Sequence, residues 1–413
     1  MFDPHQVKKN FLILDQEVHP GKPLVYLDSA ATSQKPKAVA EVMARYYMTD
    51  NANVHRGVHV LSDRATTVWE MSKEKVAKFV GAEKDELIIV RNTTEATNGV
   101  AYGWGDHQLK KGDVIVATLM EHHANLVVWQ ELCKRTGAKL LVTGLKEKAE
   151  VDLADFEKLL KTPKVKLVAF VHVSNALGTV NPVEQMVGLV KKHAKGARIV
   201  LDAAQSVPHM PVNFHDLKVD FMAFSGHKML GPMGIGGLVV RKELLVSGEM
   251  QPWLFGGGMI EEVQEQSATY SDDLSERFTA GTPDVASMIG LATACDFLSR
   301  LGMDNVMKHD QELVKYSYEQ LSKVKGLTIV GPKPEHRLGS VAFVHDEVHA
   351  HDLAQILDSE GIAVRSGHHC TMPLHRACGW QATTRASFNV YSTKEDIDAL
   401  VKAFEKVNTI FGL

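Results

Sequence analysis

The chain predicts an α/β fold built on a mostly parallel sheet, with a smaller α+β unit at its C-terminal end. Three observations carry that expectation. Between about residues 86 and 240, apolar runs of strand length alternate with longer runs of helical spacing, the rhythm of strand–helix–strand units. The polar residues with chemical potential sit just past the ends of those apolar runs, where an open parallel sheet places its ligand. Near residue 300 the rhythm changes to long helical patterns followed by a few strands. With 413 residues, the chain exceeds one ordinary core, and two domains are expected.

Residues 7–14 read as a short amphipathic helix, and 24–27 as a strand leading into Asp28-Ser29-Ala30-Ala31-Thr32. The small side chains there imply close approach to a ligand or another backbone. Apolar spacing makes 39–47 and 65–80 helical, with a polar, aperiodic loop at 53–59. The alternation then runs strand 87–90, helix 94–104, strand 113–117, helix 125–135, strand 139–142, helix 153–160, strand 165–173, helix 182–193 and strand 198–201. Strands 219–224 and 237–240 follow, and 253–280 reads as a hairpin or loop excursion. Helices are expected at 285–301 and 307–324. Strand 341–344, helix 351–360, strands 362–364 and 385–390 and helix 394–411 complete the chain.

Composition narrows the function classes. A chain 45% hydrophobic and 23% charged is globular, and a net charge of −4 makes no electrostatic case for nucleic acid. No window approaches the ~20 apolar residues of a membrane span. The N-terminus lacks the basic region of a signal peptide. Cys133, Cys295, Cys370 and Cys378 have no framework spacing, which points to a reducing compartment and to the cytoplasm.

The strongest chemical signal is Ser225-Gly226-His227-Lys228, placed between two apolar runs and followed by glycines. A lysine that forms an imine needs partial desolvation to be neutral and nucleophilic. The glycines would let the backbone approach a bulky cofactor, and Ser225 and His227 offer donors to a phosphate. Upstream, Asp202 ends an apolar strand, where a buried carboxylate calls for a cationic partner. Pyridoxal phosphate needs this combination, with an acid for its pyridine nitrogen and a lysine for its aldehyde. Thr93 and Thr94 open a helix after a strand; their local sequence alone reads as an ordinary N-cap, and the lysine–aspartate pair turns them into expected phosphate donors. His122 is placed to stack on the ring and move protons. Gln205 and Asn175 could donate to the ring's phenolic oxygen, and Asn175 also to a substrate carboxylate. Arg385 offers a fork suited to that carboxylate. Cys370 lies in the polar loop Arg365-Ser366-Gly367-His368-His369-Cys370. A nucleophilic thiol suits that loop best. A zinc site of His368, Cys370, His375 and Cys378 matches no common spacing, so no metal is expected.

Taken together, these segments resemble the group II (SufS-type) cysteine desulfurases, which include selenocysteine lyase. Tyr26 to Ala31, Val54-His55-Arg56-Gly57, Glu121 to Asn125, Ser174-Asn175, Asp202 to Gln205, Ser225 to Lys228, Ala280 to Pro283 and Arg365 to Cys370 occur in family order. The resemblance implies a fold type I pyridoxal phosphate enzyme with a seven-stranded, mostly parallel sheet. It implies a segment 1–20 packing with the small domain, a large domain at 21–295 and a small domain at 296–413 carrying the cysteine. It further implies conversion of L-cysteine to L-alanine with a persulfide on Cys370, and L-selenocysteine as a second substrate. Arg365 would lie near the substrate. Thr282 would reach the partner's cofactor in a homodimer, and a SufE- or SufU-like acceptor would carry sulfur to iron–sulfur cluster assembly. Met233, Ser366 and Thr371 depart from the family's usual residues.

Overall fold

The computed structural model describes residues 2–55 and 57–412. A seven-stranded sheet forms its centre: β1 (Leu87–Val90), β2 (Val114–Thr118), β3 (Lys139–Thr143), β4 (Val165–Val171), β5 (Arg198–Asp202), β6 (Phe221–Ser225) and β7 (Gly236–Val240). Their spatial order is β1-β7-β6-β5-β4-β2-β3. Neighbours from β6 to β3 pair in parallel, and β7 runs antiparallel to both β6 and β1.

Strand chemistry explains the arrangement. Successive side chains point to opposite faces, and here both faces are covered. Met222 and Phe224 join one core with Val168, Leu201 and the long helix Val285–Leu301. Phe221 and Ala223 join the other with Ile115, Trp104 and Trp129. Strands buried on both sides must be apolar throughout, which is why they are legible as uninterrupted runs.

A second, antiparallel sheet lies in the C-terminal part: β8 (Leu327–Val330), β9 (Ser340–His345), β10 (Arg365–Gly367) and β11 (Thr383–Ser387), in the order β8-β9-β11-β10. Its core includes Phe343, Leu353, Leu400 and Phe404. The segment Val25–Tyr26 pairs in parallel with Ile362–Ala363, and Ser387 N–H donates to the Leu27 carbonyl at 2.7 Å. Residues 25–28 thus join the C-terminal layer through their backbone. Pairing of two-residue strands has no periodicity to announce it.

The helix expected at 7–14 is instead Pro4–Lys8 followed by a separate 3₁₀ turn, Leu12–Asp15. Between them Phe11 is fully buried against the rings of Tyr391 and Phe297, at 4.7 and 5.9 Å. Proline at the helix start and this anchored ring set the two boundaries.

The glycines after Lys228 serve the sheet itself. A Cβ on Gly237 would stand 2.4 Å from Phe224 Cζ, and one on Gly236 would stand 2.5 Å from the Phe224 carbonyl oxygen. Gly226 faces the Ile235 carbonyl in the same way, at 2.8 Å. At these positions the glycines admit one protein strand against another. Gly237→Ala should therefore destabilise the fold by about 1–3 kcal/mol, seen as a lower urea midpoint with far-UV circular dichroism unchanged before the transition.

Candidate active site

The carboxyl ends of β4, β5 and β6 open onto a cavity of about 260 Å³. Val171, Asp202 and Ser225 line it from the sheet, Ala30 and Ala31 from the N-terminal segment, and Arg365, His369, Cys370 and Arg385 from the C-terminal layer. Lys228 and Cys370, far apart in the chain, share this single space.

One corner is built for an anion. Helix Thr93–Val100 starts at the wall, and its N-cap is Asn92, whose Oδ1 accepts the Glu95 N–H at 3.1 Å. Thr93 is therefore not the cap. Its N–H and hydroxyl both meet the Ser225 hydroxyl, at 2.9 and 2.8 Å. Thr94 and His227 also face the cavity. A helix start with hydroxyls beside it favours a phosphate. The Ser33 N–H and the Thr32 and Ser33 hydroxyls hold the His227 carbonyl at 2.9, 3.0 and 3.0 Å, fixing the turn that presents Lys228. Burial, and then Lys228, push the His227 pKa down to about 4.

Deeper in, Asp202 is buried and accepts the Ala204 N–H at 2.9 Å. Burial raises its pKa, opposed by Lys228. Burial lowers that of Lys228, opposed by Asp202. Each charge limits the other's desolvation, while the lysine stays easier to deprotonate than in water. Gln205 lines the same wall, with its Nε2 donating to the Ala30 carbonyl at 2.8 Å.

His122 precedes the 3₁₀ turn His123–Asn125, and its Nδ1 accepts the Ala124 N–H at 3.0 Å. Burial, and then Lys228, bring its pKa down to about 3, so the ring is neutral with its proton on Nε2. Behind it lies Glu121, which the sequence reading left without a role. The Glu121 carboxyl is completely buried and meets the Thr118 hydroxyl at 2.5 Å, the Val171 N–H at 3.1 Å and the Asn125 amide at 2.6 Å. It ties the ends of β2 and β4 to the turn that carries His122. Burial outweighs these donors and raises its pKa to about 8.

Arg385 is buried, with Nη2 on Asp28 Oδ1 at 2.8 Å and Nη1 on the Asn175 carbonyl at 2.6 Å. Arg365 is half exposed, 4.0 Å from the other Asp28 oxygen. Asn175 donates through Nδ2 to the His369 carbonyl at 2.7 Å. Two buried atoms nearby, Asn175 Oδ1 and Arg385 Nε, have no partner, which suits a site completed by a ligand with its own donors and acceptors. Sequence reasoning gave Asp28 no part here. Its one signal was a carboxylate directly before a run of small residues.

Cys370 is exposed. It and His369 both adopt left-handed backbone conformations, φ 58° and 49°, which cost of order 1–3 kcal/mol each in non-glycine residues. The His369 ring meets the Thr383 hydroxyl at 2.9 Å and is held neutral by burial, its pKa brought down to about 2. His375 turns to Thr371 and Thr383, and among the described residues no cluster of three His, Cys, Asp or Glu side chains is arranged to hold a metal. Thr282 is exposed and does not line the cavity. Arg56, part of the matched His55-Arg56-Gly57 segment, lies outside the described residues.

Two outcomes test these contacts. Asp28→Ala strands the buried Arg385 charge and should cost about 3 kcal/mol, measured by chemical denaturation. Glu121 keeps its proton to about pH 8 when folded but loses it near 4.5 in a free side chain, so the folded state binds more protons between those values. Its contribution to stability therefore falls as pH rises through that window. Relative to the native protein, Glu121→Gln should gain stability steadily from about pH 5 to pH 8, read as the difference between their denaturation free energies.

Known proteins share this architecture. The class-V aminotransferase family model matches residues 25–400. A relative in Halalkalibacterium halodurans named "Probable cysteine desulfurase" is 48% identical over 99% of this chain and 98% of its own length. The solved structure of a cysteine desulfurase from Thermococcus onnurineus NA1 superposes with a TM-score of 0.93 at 40% identity, covering 100% of this chain and 99% of that one. A cysteine desulfurase from Escherichia coli gives a TM-score of 0.90 at 34% identity, over 99% of both chains. Together with a partly buried lysine, a buried aspartate and an exposed cysteine around one cavity, these matches place the chain in the class-V aminotransferase family, as a member of its cysteine desulfurase branch.

Proposed function

We propose that the protein converts L-cysteine to L-alanine, with pyridoxal 5'-phosphate held at Lys228 and the sulfur collected as a persulfide on Cys370. The observation that supports this most directly is the opening of Lys228 and Cys370 onto one cavity. Thr93, Thr94, Ser225 and His227 would hold the phosphate. Asp202 would take the pyridine nitrogen, Gln205 and Asn175 the ring's phenolic oxygen, and His122 the ring face. Bound there, the cofactor supplies an electron sink for the bonds of the substrate's α-carbon.

Arg385, Arg365 and Asn175 draw in the substrate carboxylate. The Lys228 amine, easier to deprotonate than in water because of burial, takes the α-proton at Nζ. Neutral His122 presents an Nε2 proton for transfer. The Cys370 thiolate then attacks the substrate sulfur. An S–S bond forms and the substrate's Cβ–S bond breaks, with its electron pair leaving on the carbon side. Protonation of that carbon gives the methyl group of alanine.

The short loop with its exposed Cys370 suits hand-off to a docking acceptor of the SufE or SufU kind, and so service to iron–sulfur cluster assembly. L-selenocysteine is open to the same α-carbon chemistry. We read the protein as a cytoplasmic homodimer in which Thr282, exposed and away from its own cavity, serves the partner's cofactor. The division into a large domain at 21–295 and a small one at 296–413, with residues 1–20 against the latter, is part of the same reading.

Mass spectrometry after incubation with L-cysteine should show one added sulfur atom on the peptide containing Cys370. Cys370→Ala should abolish that gain and sulfide release. Lys228→Ala should lose the absorbance at about 420 nm expected of an imine of this cofactor. Keto-acid-dependent transamination as the main activity, surviving Cys370→Ala, would overturn the reading.

A further inference from the structure

Besides the Asn175 bond to the His369 carbonyl, the cysteine loop is gripped by one residue of the turn that follows β2. The His123 N–H donates to the Cys370 carbonyl at 2.8 Å, and His123 Nε2 accepts the Met372 N–H at 3.1 Å. One residue thus bonds the chain at the reactive cysteine and two positions beyond it. Met372 begins the helix Met372–Ala377, whose N-cap Thr371 makes no side-chain capping bond. The first N–H of a helix has no partner within it, and His123 supplies one. The loop needs such a hold, because His369 and Cys370 both sit in left-handed conformations that persist only where the surroundings impose them.

Accepting at Nε2 requires a neutral ring with its proton on Nδ1. Burial, with His368 beside it, lowers the His123 pKa and favours that state. The adjacent His122 has the opposite tautomer, since its Nδ1 accepts from Ala124. Two neighbouring imidazoles thereby take separate roles, His122 lining the cavity while His123 stays out of it and faces the loop.

We propose that His123 is a positioning residue for sulfur transfer, its backbone N–H and its Nε2 together clamping the Cys370 loop so that the thiol stays at the cavity mouth. This rests on Cys370 being the sulfur acceptor, but the clamp can be measured without turnover.

Hydrogen–deuterium exchange on the cofactor-loaded protein, resolved to the Met372 amide, should show faster exchange in His123→Ala and His123→Asn. His123→Gln should restore protection, because its amide oxygen reaches the place of Nε2 whereas that of Asn reaches only the place of Nδ1. Single-turnover persulfide formation should fall about tenfold in the Ala and Asn variants, the equivalent of one lost hydrogen bond, and recover in Gln. KM for L-cysteine and the cofactor absorbance should not change. Equal exchange at Met372 in all four proteins, or Asn protecting as well as Gln, would overturn the clamp, as would loss of cofactor absorbance in His123→Ala. A native protein with a protected Met372 amide but no sulfur on Cys370 would instead sink the functional reading and leave the clamp standing.

Discussion

A lysine and an aspartate share one pocket, the aspartate buried and the lysine partly so, and much of the molecule exists to hold them there. Neither charge is stable alone at that depth. Asp202 ends one central strand and Lys228 follows its parallel neighbour, so sheet pairing sets their spacing before any side chain is chosen. The mutual opposition of their pKa shifts is the electrostatic result. An amine that remains basic yet readily gives up its proton is what imine chemistry requires.

Around that pair, the site is assembled from both layers. The large sheet supplies the anion corner, the aspartate and His122. The C-terminal layer supplies Arg365, Arg385 and the thiol. Asn175 stands at the join, its carbonyl held by Arg385 and its amide bonded to the cysteine loop. Buried Arg337 supports the same junction, donating to the Leu177 carbonyl at 3.0 Å and to the Pro332 and Val330 carbonyls. Polar groups buried this deeply must be paired, so the joint is constrained in geometry and not merely in contact.

The reactive loop follows a different logic. Its backbone is strained at two successive residues, yet its thiol is exposed. Strain held by external hydrogen bonds leaves the thiol presented to solvent and cavity alike. A relaxed loop would not hold it at that place.

Much of this is legible in the chain itself, for identifiable reasons. Strands buried on both faces must be apolar runs, so β2, β4, β5 and β6 announce themselves, and chemistry at their carboxyl ends follows from parallel pairing. Lys228, Asp202 and Cys370 stand out because each is a costly residue in its local setting. Other features have no local signature. Strand β8 is short and half exposed, and the pairing of Val25–Tyr26 with Ile362–Ala363 joins segments remote in the chain. The roles of Asp28, Glu121 and His123 are relations between distant residues: a carboxylate matched to Arg385, an acid beneath a turn, an imidazole reaching Met372. The amino-acid order thus determined the class of fold and the identity of the reactive groups, because periodicity and desolvation cost act locally. Only tertiary structure decided which groups meet, because hydrogen bonds and ion pairs depend on distances that the chain sets by folding.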